Sequence, residues 1–189
     1  MGVDYFHKGQ IDEFAIWTDV LSDKEIQDLY FYQKSTFNEL AASWTPKWDN
    51  LIGYWNMEGN WQDSSSNKNH GSSINGSAII SESKIGSQSS SFDGSNDYVQ
   101  IEDSPELSGM SEFSFSTWVY LNSKSNFDSF IEKINTSGSD DTYKISLDSF
   151  SDQRFRFSIW NNLGGARTLT SIDPRSHRNL GSFIWNLWP

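Results

Sequence analysis

The chain has 189 residues, a formal net charge of -11 and no cysteine. That length allows one sizeable domain, or one domain together with a fragment of another. The negative charge argues against nucleic acid and anionic membranes as partners, since both attract cationic surfaces. The lack of cysteine excludes a disulfide framework and any thiolate zinc site. No apolar run approaches the roughly 20 residues that span a bilayer, so membrane insertion is not expected.

Aromatic residues indicate the fold class. The chain contains nine Trp, seven Tyr and thirteen Phe, and its aromatic and β-branched runs are separated by Ser, Asn and Gly. Aromatic and β-branched runs form strands, and Ser, Asn and Gly form the turns between them. The composition therefore favours an all-β protein.

The N-terminal part predicts one strand and one helix. Residues 9–19 have the pattern of a strand, whose alternation places Asp12, Phe14 and Ile16 on one face and Ile11, Glu13, Ala15 and Trp17 on the other. Ser22 and Glu25 stand three residues apart, as in a capping box, so we expect a helix from about Asp23 to Tyr32. Residues 34–50 lack a sustained period and predict a linker.

Residues 51–173 predict a succession of short strands, which follow one another at about the 8–12-residue spacing of a β-sandwich. The most pronounced is Phe113–Leu121, whose apolar residues on both faces predict a central strand. The others are Leu51–Met57, Ser73–Ile80, Ser90–Phe92 and Tyr98–Ile101 around a tight turn, Phe127–Lys133, Thr142–Leu147, Arg154–Trp160 and Leu169–Ile172. Residues 174–189 show no period and predict an atypical tail.

A polar loop, Asp63–Gly71, follows the strand at Leu51–Met57. It offers one carboxylate at Asp63, the side-chain oxygens of Asn67 and Asn69, and several backbone carbonyls. Ca²⁺ takes six to eight oxygen ligands of these kinds. Asp and Asn are also ordinary turn formers that make Asx-turns. The pattern is therefore compatible with a calcium site and with a metal-free loop.

Two parts of the chain resemble the laminin-G-like (concanavalin A-like) jelly-roll family in its bacterial, secreted branch. The segments LIGYWNMEGNWQDSSSNKNHG, SFDGSNDYVQI and FSFSTWVYL resemble the opening half of such a domain. The segment GQIDEFAIWTDVLSDKEIQDLY resembles its closing strand and helix. The resemblance implies an antiparallel two-sheet jelly-roll sandwich with one short N-terminal helix. Residues 1–33 would supply the closing elements, and residues 51–173 the opening and middle part.

The order of these elements is reversed, because the closing strand precedes the opening half. The sandwich is therefore expected to be incomplete or permuted. The chain could span the end of one domain and the start of the next in a tandem array, with laminin-G-like neighbours. Alternatively, residues 9–32 could fold back beside residues 51–172, which would cover an otherwise bare sheet edge and helix face.

The resemblance also implies a structural calcium site. Its ligands would be Asp63, backbone carbonyls near Asn67 and His70, and Asp12 from the closing strand. A metal shared by Asp12 and Asp63 would staple the two segments together. A zinc site at His70 is the weaker hypothesis, because the three histidines, at positions 7, 70 and 177, lack metal-ligand spacing.

The predicted function is non-catalytic binding of a glycan or an extracellular protein. Sugars stack on aromatic side chains, and Trp44, Trp48, Trp61 and Trp160 are candidates, although tryptophans also pack in cores. The adjacent acids Asp12 and Glu13 are expected to face opposite ways, so they form no glycosidase pair. We therefore expect an extracellular or cell-surface adhesion or carbohydrate-binding module of a larger protein. The alternatives are a spacer repeat or a fragment of a polysaccharide-active enzyme.

Overall fold

The computed structural model describes residues 6–34, 50–110, 112–122, 128–133, 142–147, 155–160, 166–170 and 183–187. The described strands are β1 Lys8–Trp17, β2 Leu51–Trp55, β3 Gly71–Ile74, β4 Ala78–Ile80, β5 Ser89–Asp93, β6 Tyr98–Ile101, β7 Ser114–Leu121, β8 Ser129–Lys133, β9 Thr142–Leu147, β10 Phe155–Trp160, β11 Ala166–Thr170 and β12 Phe183–Leu187. The helix α1 Asp23–Lys34 follows β1, and a 3₁₀ turn lies at Pro105–Leu107. Residues 35–49 of the predicted linker lie outside the described residues.

The strands form two main sheets. The larger has the order β12-β7-β1-β5-β4, with β2 also paired to β1, and the second has the order β11-β10-β9-β8. A small sheet joins β3 to β6. Among the described strands every pair is antiparallel apart from β12, which runs parallel to β7. The predicted all-β class is therefore confirmed.

The main core lies between the two sheets. Phe115 of β7 faces Phe157 of β10, with their ring centroids 5.4 Å apart. The same apolar cluster contains Ile11, Phe14 and Ile16 from β1 and Ile145 and Leu147 from β9. On the opposite face of β7, Trp118 contacts Tyr30 of the helix, with 6.0 Å between ring centroids. The prediction that β7 is covered on both faces is confirmed.

Strand β1 occupies the middle of the larger sheet. It pairs with β7 on one side, and on the other with β5 in its first half and β2 in its second half. Nine of its ten residues are buried. The N-terminal segment therefore folds back onto residues 51–121, as the permuted arrangement requires. A strand buried on both faces and both edges is stabilised by the sheet around it.

A β-bulge interrupts β1 at Glu13. The register against β7 shifts between Asp12 and Ala15, and Glu13 has a positive φ of 56°. Ile11 and Phe14 consequently share the core face, although strict alternation places them on opposite faces. The predicted assignment of faces is wrong at this point, because the extra residue inverts the pattern beyond it.

Helix α1 packs on the outer face of β1 and β2. Ser22 N–H donates to the Glu25 carboxylate at 2.7 Å and Glu25 N–H donates to Ser22 Oγ at 3.4 Å, so the predicted capping box is present. The apolar side of the helix covers a second cluster, formed by Ala15, Trp17, Leu21, Ile26, Leu29 and Leu51. Among the described residues, no helix has the length and apolarity needed to cross a membrane.

Two local predictions differ from the structure. Strands β5 and β6 do not pair with each other across the tight turn between them. Both edges of β5 are occupied, by β1 and by β4, and β6 pairs with β3. Residues 183–187, within the tail predicted to lack a period, form strand β12 at the free edge of β7.

Candidate functional site

Asp63 organises the polar loop through its carboxylate. The side chain is buried, with 2 % of its surface exposed. Oδ1 accepts hydrogen bonds from the N–H groups of Tyr54 and Ser65, both at 2.8 Å. Oδ2 accepts from Ser65 Oγ and from Asn69 N–H, also at 2.8 Å. One carboxylate thus joins strand β2 to both ends of the loop.

The carbonyl oxygen of Ile52 is a second centre of the loop. Asn67 Nδ2 donates to it at 3.0 Å, Asn69 Nδ2 at 3.2 Å and Ser65 Oγ at 3.3 Å. His70 closes the loop, since its Nδ1 accepts from Asp63 N–H at 3.1 Å. The side chains of Asn67 and His70 are therefore engaged in holding the loop to β2.

These contacts test whether a calcium ion fits at Asp63. An ionised carboxylate has about four lone-pair sites, and the hydrogen bonds from Tyr54, Ser65 and Asn69 take four. The carboxylate therefore has no lone pair left for a metal in this arrangement. Within the described ranges, no group of three or more His, Asp or Glu side chains is arranged to hold a metal ion. The loop fits the Asx-turn alternative.

Asp12 differs from Asp63 in this respect. It is completely buried, and its Oδ2 accepts from the N–H groups of Lys84 and Ile85 at 2.9 and 3.0 Å. Its Oδ1 is buried without a hydrogen-bond partner among the described residues. No hydrogen bond joins Asp12 to the loop of residues 63–71, because the two carboxylates contact different segments. Of the four predicted ligands, Asp12 alone presents a buried oxygen that accepts no hydrogen bond of regular geometry.

The bulge brings Asp12 and Glu13 close together. Glu13 is buried, and its Oε2 accepts a hydrogen bond from the Tyr54 hydroxyl. Burial raises the pKa of Glu13 to about 7, and the charges of Asp12 and Glu58 add to this increase. Burial likewise raises the pKa of Asp12 to about 6, against the effect of the N–H groups of Ile85, Lys84 and Glu13.

Glu58 holds the next part of the chain. Its carboxylate accepts from Ser87 N–H at 2.8 Å, from Ser87 Oγ at 2.6 Å and from Gln88 N–H at 3.2 Å. Burial acts to raise the pKa of Glu58, but these hydrogen bonds outweigh it and the pKa lies below its ordinary value. Asp12 and Glu58 together fix residues 81–88, the segment called here the wall segment.

The wall segment borders an open groove on the outer face of the larger sheet. The groove has a volume of about 600 Å³ and is lined by Gln10, Ser81, Glu82, Ser83, Gly86, Ser87 and Tyr120. Gln10 and Tyr120 face each other as neighbours in the β1–β7 ladder. Gln10 Nε2 donates to Glu82 Oε2 at 2.9 Å, which ties the sheet to the wall. Polar groups and one aromatic ring thus line one side of an open groove with the volume of a small ligand.

The tryptophan candidates are not part of this groove. Trp61 packs against the main core, and its Nε1 donates to Ser90 Oγ at 2.6 Å. Trp44 and Trp48 lie outside the described residues, as does the side chain of Trp160. Sequence reasoning missed Gln10, Glu82 and Tyr120. The one available signal was that Tyr120 lies on the face of β7 opposite Phe115 and Val119.

Comparison with known families gives one match. Residues 93–178 match the family model Laminin_G_3, described as the concanavalin A-like lectin/glucanases superfamily. The matched residues include β7 to β10, which supply most of the main core. Neither the curated proteins nor the solved structures contain a match to the chain.

Proposed function

We propose that the chain is a non-catalytic carbohydrate-binding module, since residues 93–178 match the family model of the concanavalin A-like lectin/glucanases superfamily. Laminin-G-like domains are commonly carbohydrate- or protein-binding modules and typically extracellular. In this proposal the chain belongs to a larger secreted or surface protein with further laminin-G-like domains, and its ligand is a glycan. One fold hosts many functions, so the ligand is set by the site and not by the fold alone.

The observation that carries the proposal is the groove between β1, β7 and the wall segment. Its volume of about 600 Å³ falls within the usual range of ligand pockets. Its lining matches the chemistry of a sugar, which presents hydroxyl groups at its edge and C–H groups on its face. Gln10, Glu82 and the serines can exchange hydrogen bonds with hydroxyl groups, while Tyr120 supplies an aromatic ring.

The position of the buried acids supports a non-catalytic role. A glycosidase needs two carboxyl groups that flank the scissile bond and therefore reach the substrate. Asp12 is 0 % exposed and Glu13 is 5 % exposed. Their carboxyl groups bond to the protein's own backbone and to Tyr54, and neither residue lines the groove.

A structural calcium ion is part of the proposal, with Asp12 as one of its ligands through Oδ1. The support is the buried, unpartnered state of that atom, since a buried carboxylate oxygen needs a hydrogen bond or a cation. In this revised form the Asp63 carboxylate, whose lone pairs accept four hydrogen bonds, shapes the neighbouring loop and does not contact the ion. Isothermal titration with Ca²⁺ after chelation tests the site. Absence of heat together with an unchanged melting temperature would exclude it.

A glycan array tests the binding function. We expect the full chain to bind at least one glycan class, and Tyr120→Ala to weaken that binding about tenfold because the stacking ring is lost. Tyr98→Ala is the matched control, since Tyr98 is 40 % exposed on β6 and does not line the groove. Release of reducing sugar from polysaccharides would instead indicate an enzyme. A blank array with folded protein would favour a spacer.

A further inference from the structure

The lining of the groove restricts the chemical class of the ligand further than the fold of the protein does. Hydroxyl groups come from Ser81, Ser83 and Ser87, an amide from Gln10, and a phenol from Tyr120. Among the described residues that line the groove there is no aliphatic side chain. Such a surface gains little from an apolar ligand and much from one that exchanges several hydrogen bonds. The lining therefore favours a ligand that exchanges several hydrogen bonds with the groove.

The charge in the groove has one sign. Glu82 is exposed, and only its Oε2 accepts from Gln10, so Oε1 faces no protein donor within the described part of the chain. None of the described lining residues is Lys or Arg. The nearest cation along the wall, Lys84, lies with Nζ 5.0 Å from the centroid of the Trp118 ring. A cation held over an aromatic face in this way contributes to packing outside the lining.

The surroundings strengthen this negative potential. Asp12 and Glu58 anchor the wall segment from behind, and the chain as a whole carries a net charge of -11. A concave surface lined by one sign of charge concentrates ligands of the opposite sign. Uronic, sulfated and sialylated sugars are repelled by the same field.

We propose that the groove takes a saccharide with a free amino group, whose ammonium ion pairs with Glu82 Oε1 while its hydroxyl groups bond to Gln10 and the wall serines. This inference rests on the proposed glycan binding and adds the chemical class of the ligand. The ion pair is solvent-exposed, so its effect is moderate and depends on salt.

Three tetrasaccharides test the inference by titration calorimetry: one of glucosamine, one of N-acetylglucosamine and one of galacturonic acid. At low ionic strength the glucosamine tetramer should bind about fivefold more tightly than its N-acetylated form, and the galacturonic acid tetramer most weakly. Adding salt to about 0.5 M should remove most of this preference by screening. Glu82→Gln should abolish the preference, because it should weaken binding of the glucosamine tetramer much more than binding of the N-acetylated tetramer.

Glu106→Gln is the matched control, since Glu106 is an exposed acid on the 3₁₀ turn and does not line the groove. Equal affinity for the amine and the N-acetylated tetramer, or tighter binding of the acidic one, would overturn the ligand class and leave glycan binding standing. Binding of none of the three, with a blank glycan array, would overturn the inference and the proposed function together.

Discussion

Replacement of Asp63 by alanine gives the sharpest test of how the polar loop is held. The change removes the acceptor for the backbone N–H groups of Tyr54, Ser65 and Asn69. Asp63 itself is 2 % exposed, so these donors lie away from bulk solvent. A buried donor left without a partner costs about 1–3 kcal/mol. Because water can enter the vacated space, we take the low end for each donor and expect a loss of about 3 kcal/mol.

Urea unfolding followed by tryptophan fluorescence measures this loss as a lower midpoint with an unchanged m-value. Asp93→Ala is the control, because Asp93 is exposed and accepts a single hydrogen bond, from Ser95 N–H at 2.7 Å. That change should cost about 0.5 kcal/mol. The loss of stability for Asp63→Asn should lie between those of the two alanine variants. The new amide NH₂ group would face the N–H of Asn69, so that two donors would stand opposite each other.

Chelation separates the two explanations of the loop. If Asp63 acts only through hydrogen bonds, its replacement costs the same free energy with EDTA as with calcium. If Asp63 is a metal ligand, the cost shrinks when EDTA has already removed the ion. If Asp63→Ala costs less than about 1 kcal/mol, or no more than Asp93→Ala, the Asp63 carboxylate does not hold the loop through these hydrogen bonds.

Three further changes test other parts of the molecule. The folded pKa of Glu13 lies near 7, above its ordinary 4.5, so ionisation of Glu13 destabilises the fold as the pH rises from 4.5 to 7. In urea titrations, Glu13→Gln should therefore raise the free energy of unfolding by up to about 3 kcal/mol at pH 8 and by almost nothing at pH 4. Ser22→Ala removes the capping box and should cost about 1 kcal/mol by thermal unfolding, while Ser66→Ala on the exposed loop should cost almost none. Gly9→Ala would place Cβ 1.9 Å from the Tyr120 carbonyl oxygen and should abolish folding at 37 °C by circular dichroism; Gly109→Ala, with open space around it, should cost only about 1 kcal/mol.

Elements with local signals were predictable from the sequence. The capping box of Ser22 and Glu25 lies within four consecutive residues, and α1 begins where it indicates. The two-sided apolar pattern of β7 likewise predicts a central strand, and the structure places it between β1 and β12. In both cases the physical cause of the structure is contained in the segment itself.

The bulge in β1 was not predictable in this way. Nothing in the residue type of Glu13 requires a positive φ, which is uncommon for Glu. The bulge arises where β1 meets both β2 and β7, so the partners impose it. Its effect is large, since it places Ile11 and Phe14 on one face and the two acids between them. A rule based on alternation alone cannot detect an inserted residue.

The polar loop shows where chemical reasoning from composition stops. In the structure, the oxygen-rich residues of the loop are joined by hydrogen bonds to Asp63 and to the carbonyl oxygen of Ile52. Whether the oxygens of Asp63 face N–H groups or a cation depends on how the loop closes on Tyr54 and Ile52. That closure is a tertiary property of strand β2 and the loop, and residue types alone do not determine it.

The groove depends on an arrangement that the sequence left open, the folding of the N-terminal strand β1 back onto residues 51–121. Gln10 lines the groove from β1, Tyr120 lines it from β7, and Glu82 lines it from the wall segment. Asp12, also on β1, holds that wall through the N–H groups of Lys84 and Ile85. If the closing strand belonged to a separate domain, the same residues 51–173 would have neither Gln10 nor the Asp12 anchor. A ligand that binds this groove therefore stabilises the folded-back strand, because it binds only the state in which β1 is in place.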